Sequence, residues 1–241
     1  MLARGGRIFQ IENCIFNRPR DRGITSTGMG CAGLFVDKCQ FLSNEQPVPA
    51  QNRTTIALNI NANDTKIRDN RVVRFAHFAV IAGAGHIVNG NHFFQGDDQT
   101  PGARRAGMIF TATHARTTLT SNYIDNCFIE WTNEHDPVPA FDTGFSFSGF
   151  TISDNIFFAT NVGTSFRWLV VTPRGGGHYL NGVSITDNTF RTVNGTIDIG
   201  AYEAAATATT SRARRHRPEN TRIFAEVIRA LTRFGFGEVS D

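Results

Sequence analysis

The sequence predicts an all-β protein, a single-stranded right-handed parallel β-helix, and three observations predict it. One six-residue phrase recurs seven times, its fourth position is Asn or Cys every time, and the composition is rich in Phe and Gly but poor in Leu. A phrase that returns at intervals of a few tens of residues is the signature of a solenoid, in which each repeat buries its apolar side chains only by stacking on its neighbours.

The phrase is an aliphatic residue, two variable residues, Asn or Cys, one variable residue and an apolar residue. It reads IENCIF at Ile11–Phe16, VDKCQF at Val36–Phe41, IRDNRV at Ile67–Val72 and VNGNHF at Val88–Phe93. It returns as LTSNYI at Leu119–Ile124, ISDNIF at Ile152–Phe157 and ITDNTF at Ile185–Phe190. The fourth positions are Cys14, Cys39, Asn70, Asn91, Asn122, Asn155 and Asn188, separated by 25, 31, 21, 31, 33 and 33 residues.

Each part has a physical reading. Apolar residues two before the aliphatic, as at Phe9, Leu34, Phe150 and Val183, give strand alternation into a corner. At the corner Asn is expected to adopt left-handed backbone angles, and stacked coils then align the amides into a ladder. Asn155 is expected to be buried between Asn122 and Asn188. The apolar residue two places on turns back inside. The runs at 78–83, 108–113, 166–172 and 196–200 are expected to form the next sheet of each coil. Leucine-rich repeats share a similar phrase, but they need a leucine skeleton and a period of about 20–29 residues. Leu occurs here at only eight positions, and the spacing varies in the way that loops between stacked sheets allow.

Composition narrows the function classes. Hydrophobic residues make up 40% and charged residues 19% of 241, which argues against disorder. The net charge of +3 is too small to argue for a nucleic-acid partner, and no apolar run reaches the length of a membrane span. Only Lys38 and Lys66 are lysines among 24 basic residues, which we read as a GC-rich bacterial codon bias. The N-terminus lacks a signal-peptide core and enters a strand pattern at once, so the N-terminal coils of a longer protein are expected to be missing. The four cysteines show no CxxC spacing, so no metal site is predicted and buried free thiols are expected.

The period stops after the seventh phrase, so 1–200 is read as the β-helix. Residues 201–218 are Ala, Thr and Arg without apolar periodicity, a linker. Within 219–235, Ile223, Phe224, Val227, Ile228, Leu231 and Phe234 fall on one helical face, with Asn220 as N-cap and Gly235 after the last turn. This amphipathic helix either covers the open end of the stack or belongs to a frame-shifted end of the gene.

The repeated IxDNxF phrase and its Asn column, over roughly residues 8–200, resemble the pectate-lyase-like superfamily of right-handed parallel β-helices. That superfamily includes pectate lyases, polygalacturonase-type hydrolases and phage tail spikes. The resemblance implies a carbohydrate-active protein that binds, and in the enzymatic case cleaves, an acidic or bacterial polysaccharide. The alternative is a non-catalytic tail-spike or surface-fibre β-helix, assembled as a homotrimer. One scaffold hosts all of these, so the site must decide.

Sugar-cutting β-helices place carboxylates on an outer sheet face. The loops after Asn91 and Asn122 carry Asp97, Asp98 and Arg104 on one and Glu130, Glu134 and His135 on the other, in consecutive coils about 5 Å apart. Asp97, Asp98, Glu130 and Glu134 are the candidate catalytic residues, and Arg104, His135 and Arg167 the candidate substrate-binding residues. Paired carboxyls at roughly 5–5.5 Å suit retaining and 6.5–9.5 Å inverting glycosidases. Gly96-Asp97-Asp98 resembles the paired-Asp motif of polygalacturonase-type hydrolases, but that family's Asn-Thr-Asp, Gly-His-Gly and Arg-x-Lys motifs are not matched. No cofactor is predicted; calcium enters only with lyase chemistry, in which Arg167, one coil beyond Glu130, would be the proton acceptor, and an ion pair between Glu130 and Arg167 on stacked strands explains both residues equally well. Ile129 and Trp131 share one face, as do Phe166, Trp168 and Val170, and strand parity turns these faces inward and Glu130, Thr132 and Arg167 outward.

Overall fold

The computed structural model describes residues 1–43, 54–95, 106–111, 116–132, 146–160, 166–172, 179–193 and 197–198. Every regular element among them is a β-strand. The linker at 201–218 and the helix at 219–235 lie outside the described residues.

Seven coils follow one another. The first two hold β1 (Leu2–Glu12) and β2 (Ile15–Asn17), then β3 (Arg22–Asp37) and β4 (Gln40–Leu42). The third holds β5 (Ile56–Asn61), β6 (Lys66–Arg68) and β7 (Arg71–Val73); the fourth holds β8 (His77–Ala82), β9 (Ile87–Asn89) and β10 (His92–Phe94). The fifth holds β11 (Ala106–Phe110), β12 (Thr118–Thr120) and β13 (Tyr123–Asp125). The sixth holds β14 (Phe128–Thr132), β15 (Ser146–Ser148), β16 (Thr151–Ser153) and β17 (Ile156–Thr160). The last holds β18 (Phe166–Arg167), β19 (Leu169–Thr172), β20 (Tyr179–Asn181), β21 (Ser184–Thr186) and β22 (Thr189–Val193), followed by β23 (Ile197–Asp198).

Most of these strands stack into three parallel sheets of seven strands, while β15 pairs β20 and β18 pairs β23 outside them. Sheet I runs through the first halves of β1 and β3, then β5, β8, β11, β14 and β19. Sheet II takes the second halves of β1 and β3, then β6, β9, β12, β16 and β21. Sheet III is β2, β4, β7, β10, β13, β17 and β22. The architecture is that of a parallel β-helix, and the phrase marks the corner between sheets II and III.

Register explains why the phrase recurs. Its aliphatic residues, Ile11, Val36, Ile67, Val88, Leu119, Ile152 and Ile185, align in one column and are all buried. Its sixth residues form a second column in which Phe16 stacks on Phe41 at 4.6 Å and Phe157 on Phe190 at 5.1 Å. Each such side chain contributes roughly 1.5–3 kcal/mol of transfer free energy only because the coil above closes over it.

The Asn column is a ladder, with one correction to its corner. Asn122 donates both its backbone N–H and its Nδ2 to Asn155 Oδ1 at 2.9 Å, and Asn155 does the same to Asn188 Oδ1 at 3.0 and 2.8 Å. Each Nδ2 also bonds the carbonyl of the preceding coil's aliphatic residue, as Asn155 does to Leu119 at 2.9 Å. The left-handed residue is not the Asn but the one before it. Asn13, Lys38, Asp69, Gly90, Ser121, Asp154 and Asp187 all have φ between 52 and 67°. The turn is made there with the side chain outside, which frees the next residue to face inward; this is why Asp, Asn and Gly predominate at the third position.

At the N-terminal end thiols replace amides. Cys39 N–H bonds Asn70 Oδ1 at 2.9 Å, and its Sγ sits 3.5 Å from the Ile11 carbonyl, the acceptor position that an Asn would use. All four cysteines are free, but Cys14 is exposed, against the expectation that every thiol is buried. Among the described residues no coil stacks outside it. Burial pushes the Cys39 thiol up, which makes it a poor nucleophile. Titration with a thiol reagent is expected to count one fast-reacting group in the native protein and four after denaturation without reductant. A robust Cys14–Cys39 disulfide would contradict this.

Candidate functional site

The outer face of sheet I is set by parity. Ile129 and Trp131 point inward and are fully buried, so Glu130 between them points outward. Its column runs Asn59, Val80, Ile109, Glu130 and Val170. Among the described residues, Glu130 is the only carboxylate on the sheet I strands β5, β8, β11, β14 and β19, and it is half-buried. Its neighbours Ile109 and Thr132 share the outer face and are themselves buried.

Arg167 does not sit opposite Glu130. Val170 does, and Arg167 pairs in register with Asp198 on β23. The cause is a break at Trp168 between β18 and β19. Trp168 is buried as parity predicts, but the break resets the alternation, so that Leu169 and Val171 pack on the core and Val170 faces out. Trp131 stacks on Phe150 at 4.4 Å, and Trp168 packs on Phe157 and Phe190. Both tryptophans are core residues and not sugar platforms.

Asp97, Asp98, Arg104, Glu134 and His135 lie outside the described residues. Their segments join sheet I at opposite ends of its strands: 96–105 leads into the start of β11, whereas 133–145 leaves the end of β14. A strand of five residues spans roughly 17 Å, so adjacency of coils does not by itself bring the two carboxylate groups together. Among the described residues no group of three or more His, Cys, Asp or Glu side chains converges as a metal site would require.

Two features escaped sequence reasoning because they are columns, legible only after the coils are aligned. The first is the outer face of sheet III, formed by the phrase's variable fifth residue and the residue after its sixth. It carries Arg71, His92, Tyr123 and Ile156 in one column and Phe94, Asp125, Phe158 and Arg191 in the next. His92 meets Tyr123 edge-on at 4.8 Å, and Tyr123 lies near-parallel to Phe158 at 6.5 Å. Burial, reinforced by Arg71, lowers the His92 pKa; burial, reinforced by Asp125 and partly offset by Arg191, raises that of Tyr123.

The second is the column two before the aliphatic. Phe9, Leu34, Phe150 and Val183 are apolar as read, but the middle of the column is Thr65, His86 and Thr117, all buried. His86 is 1% exposed and neither ring nitrogen has a hydrogen-bond partner. The ring is held beside a tight turn in which Gly83 has φ +98° and a Cβ would run into the Ala62 carbonyl. Burial lowers the His86 pKa to about 4, against smaller opposing effects of the Gly83 carbonyl, the Asp64 charge and the Ala82 carbonyl.

No family model matches the sequence, and no curated protein matches it either.

Proposed function

We propose that the coils wind right-handed, in the manner of the pectate-lyase-like superfamily, and that the protein binds an acidic or bacterial polysaccharide on the outer face of sheet I. Right-handed winding follows from the chirality of parallel crossover connections, which are right-handed in about 98% of cases. The observation that carries the functional reading is Glu130, a half-buried carboxylate that faces out of sheet I among aliphatic neighbours. A carboxyl so placed has the chemistry for general acid or base work on a glycosidic bond once a second group joins it. Asp97, Asp98 and Glu134 are the proposed second groups, with Arg104, His135 and Arg167 as proposed sugar contacts. The segments that bear all but Arg167 border the same sheet.

The test compares wild type, Asp98→Asn and Glu130→Gln on a panel of acidic polysaccharides, reading binding, reducing-end release and unsaturated product. Loss of turnover by about 10²–10⁴-fold in Glu130→Gln with binding retained is the expected result for a catalytic carboxylate. Unchanged behaviour in both variants removes the enzymatic reading and leaves the fibre-like alternative, which the oligomeric state in solution then tests.

A further inference from the structure

We propose that the outer face of sheet III is a second glycan surface, on which an acidic polysaccharide lies with sugar rings against His92, Tyr123 and Phe158 and its carboxylates at Arg71 and Arg191. This rests on the polysaccharide reading above and adds a site that the resemblance does not supply.

The geometry comes from the phrase itself. Its sixth residue is locked inward, so the residues on either side of it must project outward in every coil. Coils repeat at about 4.8 Å, so these side chains stand in straight rows along the stack. Over the coils from β10 to β17 four of the six positions in these rows are aromatic, Ile156 and Asp125 being the others, and the rings are only partly covered: His92 is exposed, while Phe94, Tyr123 and Phe158 are half-buried. Aromatic rings left in this state on a soluble surface present flat apolar faces with polar edges. The rings of a pyranose chain also present flat C–H faces, and they advance by about one coil spacing per residue.

Charge selects among ligands that could lie there. Arg71 and Arg191 are both exposed, and the Arg191 guanidinium lies 5.9 Å over the Phe158 ring. The one carboxylate on this stretch, Asp125, is buried and accepts a 2.7 Å bond from Asn126 Nδ2. The accessible charge is therefore cationic, and an anionic partner complements it. Within sheet III each strand from β4 to β17 (β4, β7, β10, β13 and β17) is paired on both sides, so this stretch offers no free strand edge to a peptide for β-augmentation. The outer face of sheet II is an internal contrast. Thr118, Thr120, Thr151 and Ser153 make it hydroxyl-lined, with no ring on that stretch.

The experiment measures binding of polygalacturonate, alginate and a neutral dextran by affinity electrophoresis and calorimetry. It uses wild type, Tyr123→Ala, Arg191→Gln and Glu130→Gln, with circular dichroism and melting temperature as checks on folding. The expected result is about a tenfold loss of affinity in Tyr123→Ala. Arg191→Gln, an exposed change that leaves the core untouched, should weaken the acidic polymers but not the neutral one, with a smaller dependence on salt. Binding unchanged in Tyr123→Ala and Arg191→Gln, with reducing-end release lost in Glu130→Gln, would overturn this surface while sparing the sheet I reading. Absence of any polysaccharide binding in wild type would overturn both. A homo-oligomer that Tyr123→Ala dissociates would assign the face to a second copy of the chain and overturn the glycan.

Discussion

Asn155→Leu is expected to lower stability by about 1–3 kcal/mol, read as a shift in the urea or thermal unfolding midpoint. Asn155 is fully buried and its Oδ1 is the acceptor for the Asn122 backbone N–H at 2.9 Å. With Leu there, that N–H has lost its acceptor inside the corner. Asn122 Nδ2 loses one bond but keeps the carbonyls of Val88 and Thr120, each at 3.0 Å, so the damage concentrates on the main chain. Asn155→Asp is expected to be worse. It keeps an acceptor for Asn122 but turns a second oxygen toward the Leu119 carbonyl and Asn188 Oδ1, where the amide donated at 2.9 and 2.8 Å. A buried acceptor facing acceptors must either bear an unpaired charge or take up a proton. A ladder that only decorated the corner would let both variants melt with the wild type.

Acid should destabilise the protein through His86, and His86→Leu should remove that dependence. The unfolded imidazole titrates near 6.5 and the folded one at about 4, so between these values the unfolded chain holds the extra proton. Stability is therefore complete above pH 6.5, falls as the pH drops toward 4 and is flat below it. A displacement of about 2.5 units corresponds to roughly 3 kcal/mol. Among the described residues Asp64 is the one charged group that acts on the ring, and it favours protonation less than burial opposes it. Leu restores the apolar character that Leu34 and Phe150 have in the same column and leaves no orphaned ring nitrogen, so at neutral pH the variant should be as stable as wild type or slightly more so. Urea midpoints of the two proteins at pH 7.5, 5.5 and 4 test this. Parallel loss in both would place the acid sensitivity in other groups.

The fold was legible because repetition multiplies a weak signal. One I-x-x-N-x-F phrase is compatible with many structures, but seven in succession demand one environment for each position, and stacking supplies it. The ladder from Asn70 to Asn188, the inward Phe column and the two buried tryptophans could all be read from spacing and alternation. The corner was misread by one residue. Asn is itself a left-handed former, so the pattern could not show that the variable residue before it carries the turn. Parity also failed at Val170, where the break at Trp168 resets the alternation.

The candidate site was less legible for a related reason. Catalytic groups on a solenoid are brought together across coils, and sequence spacing does not measure distance across coils. Reading along the chain made Glu130 and Arg167 neighbours, but the hydrogen-bonded register puts Val170 beside Glu130. The aromatic rows of sheet III and the polar stack of Thr65, His86 and Thr117 draw one residue from each coil, separated by 21 to 33 positions in the chain. By itself the sequence determined which residues face in, because strand alternation and the need to bury apolar surface act locally and repeat. Only the tertiary structure decided what each outward residue meets, because lateral partners are set by the register of main-chain hydrogen bonds between coils, and loop lengths shift that register in sequence without moving it in space.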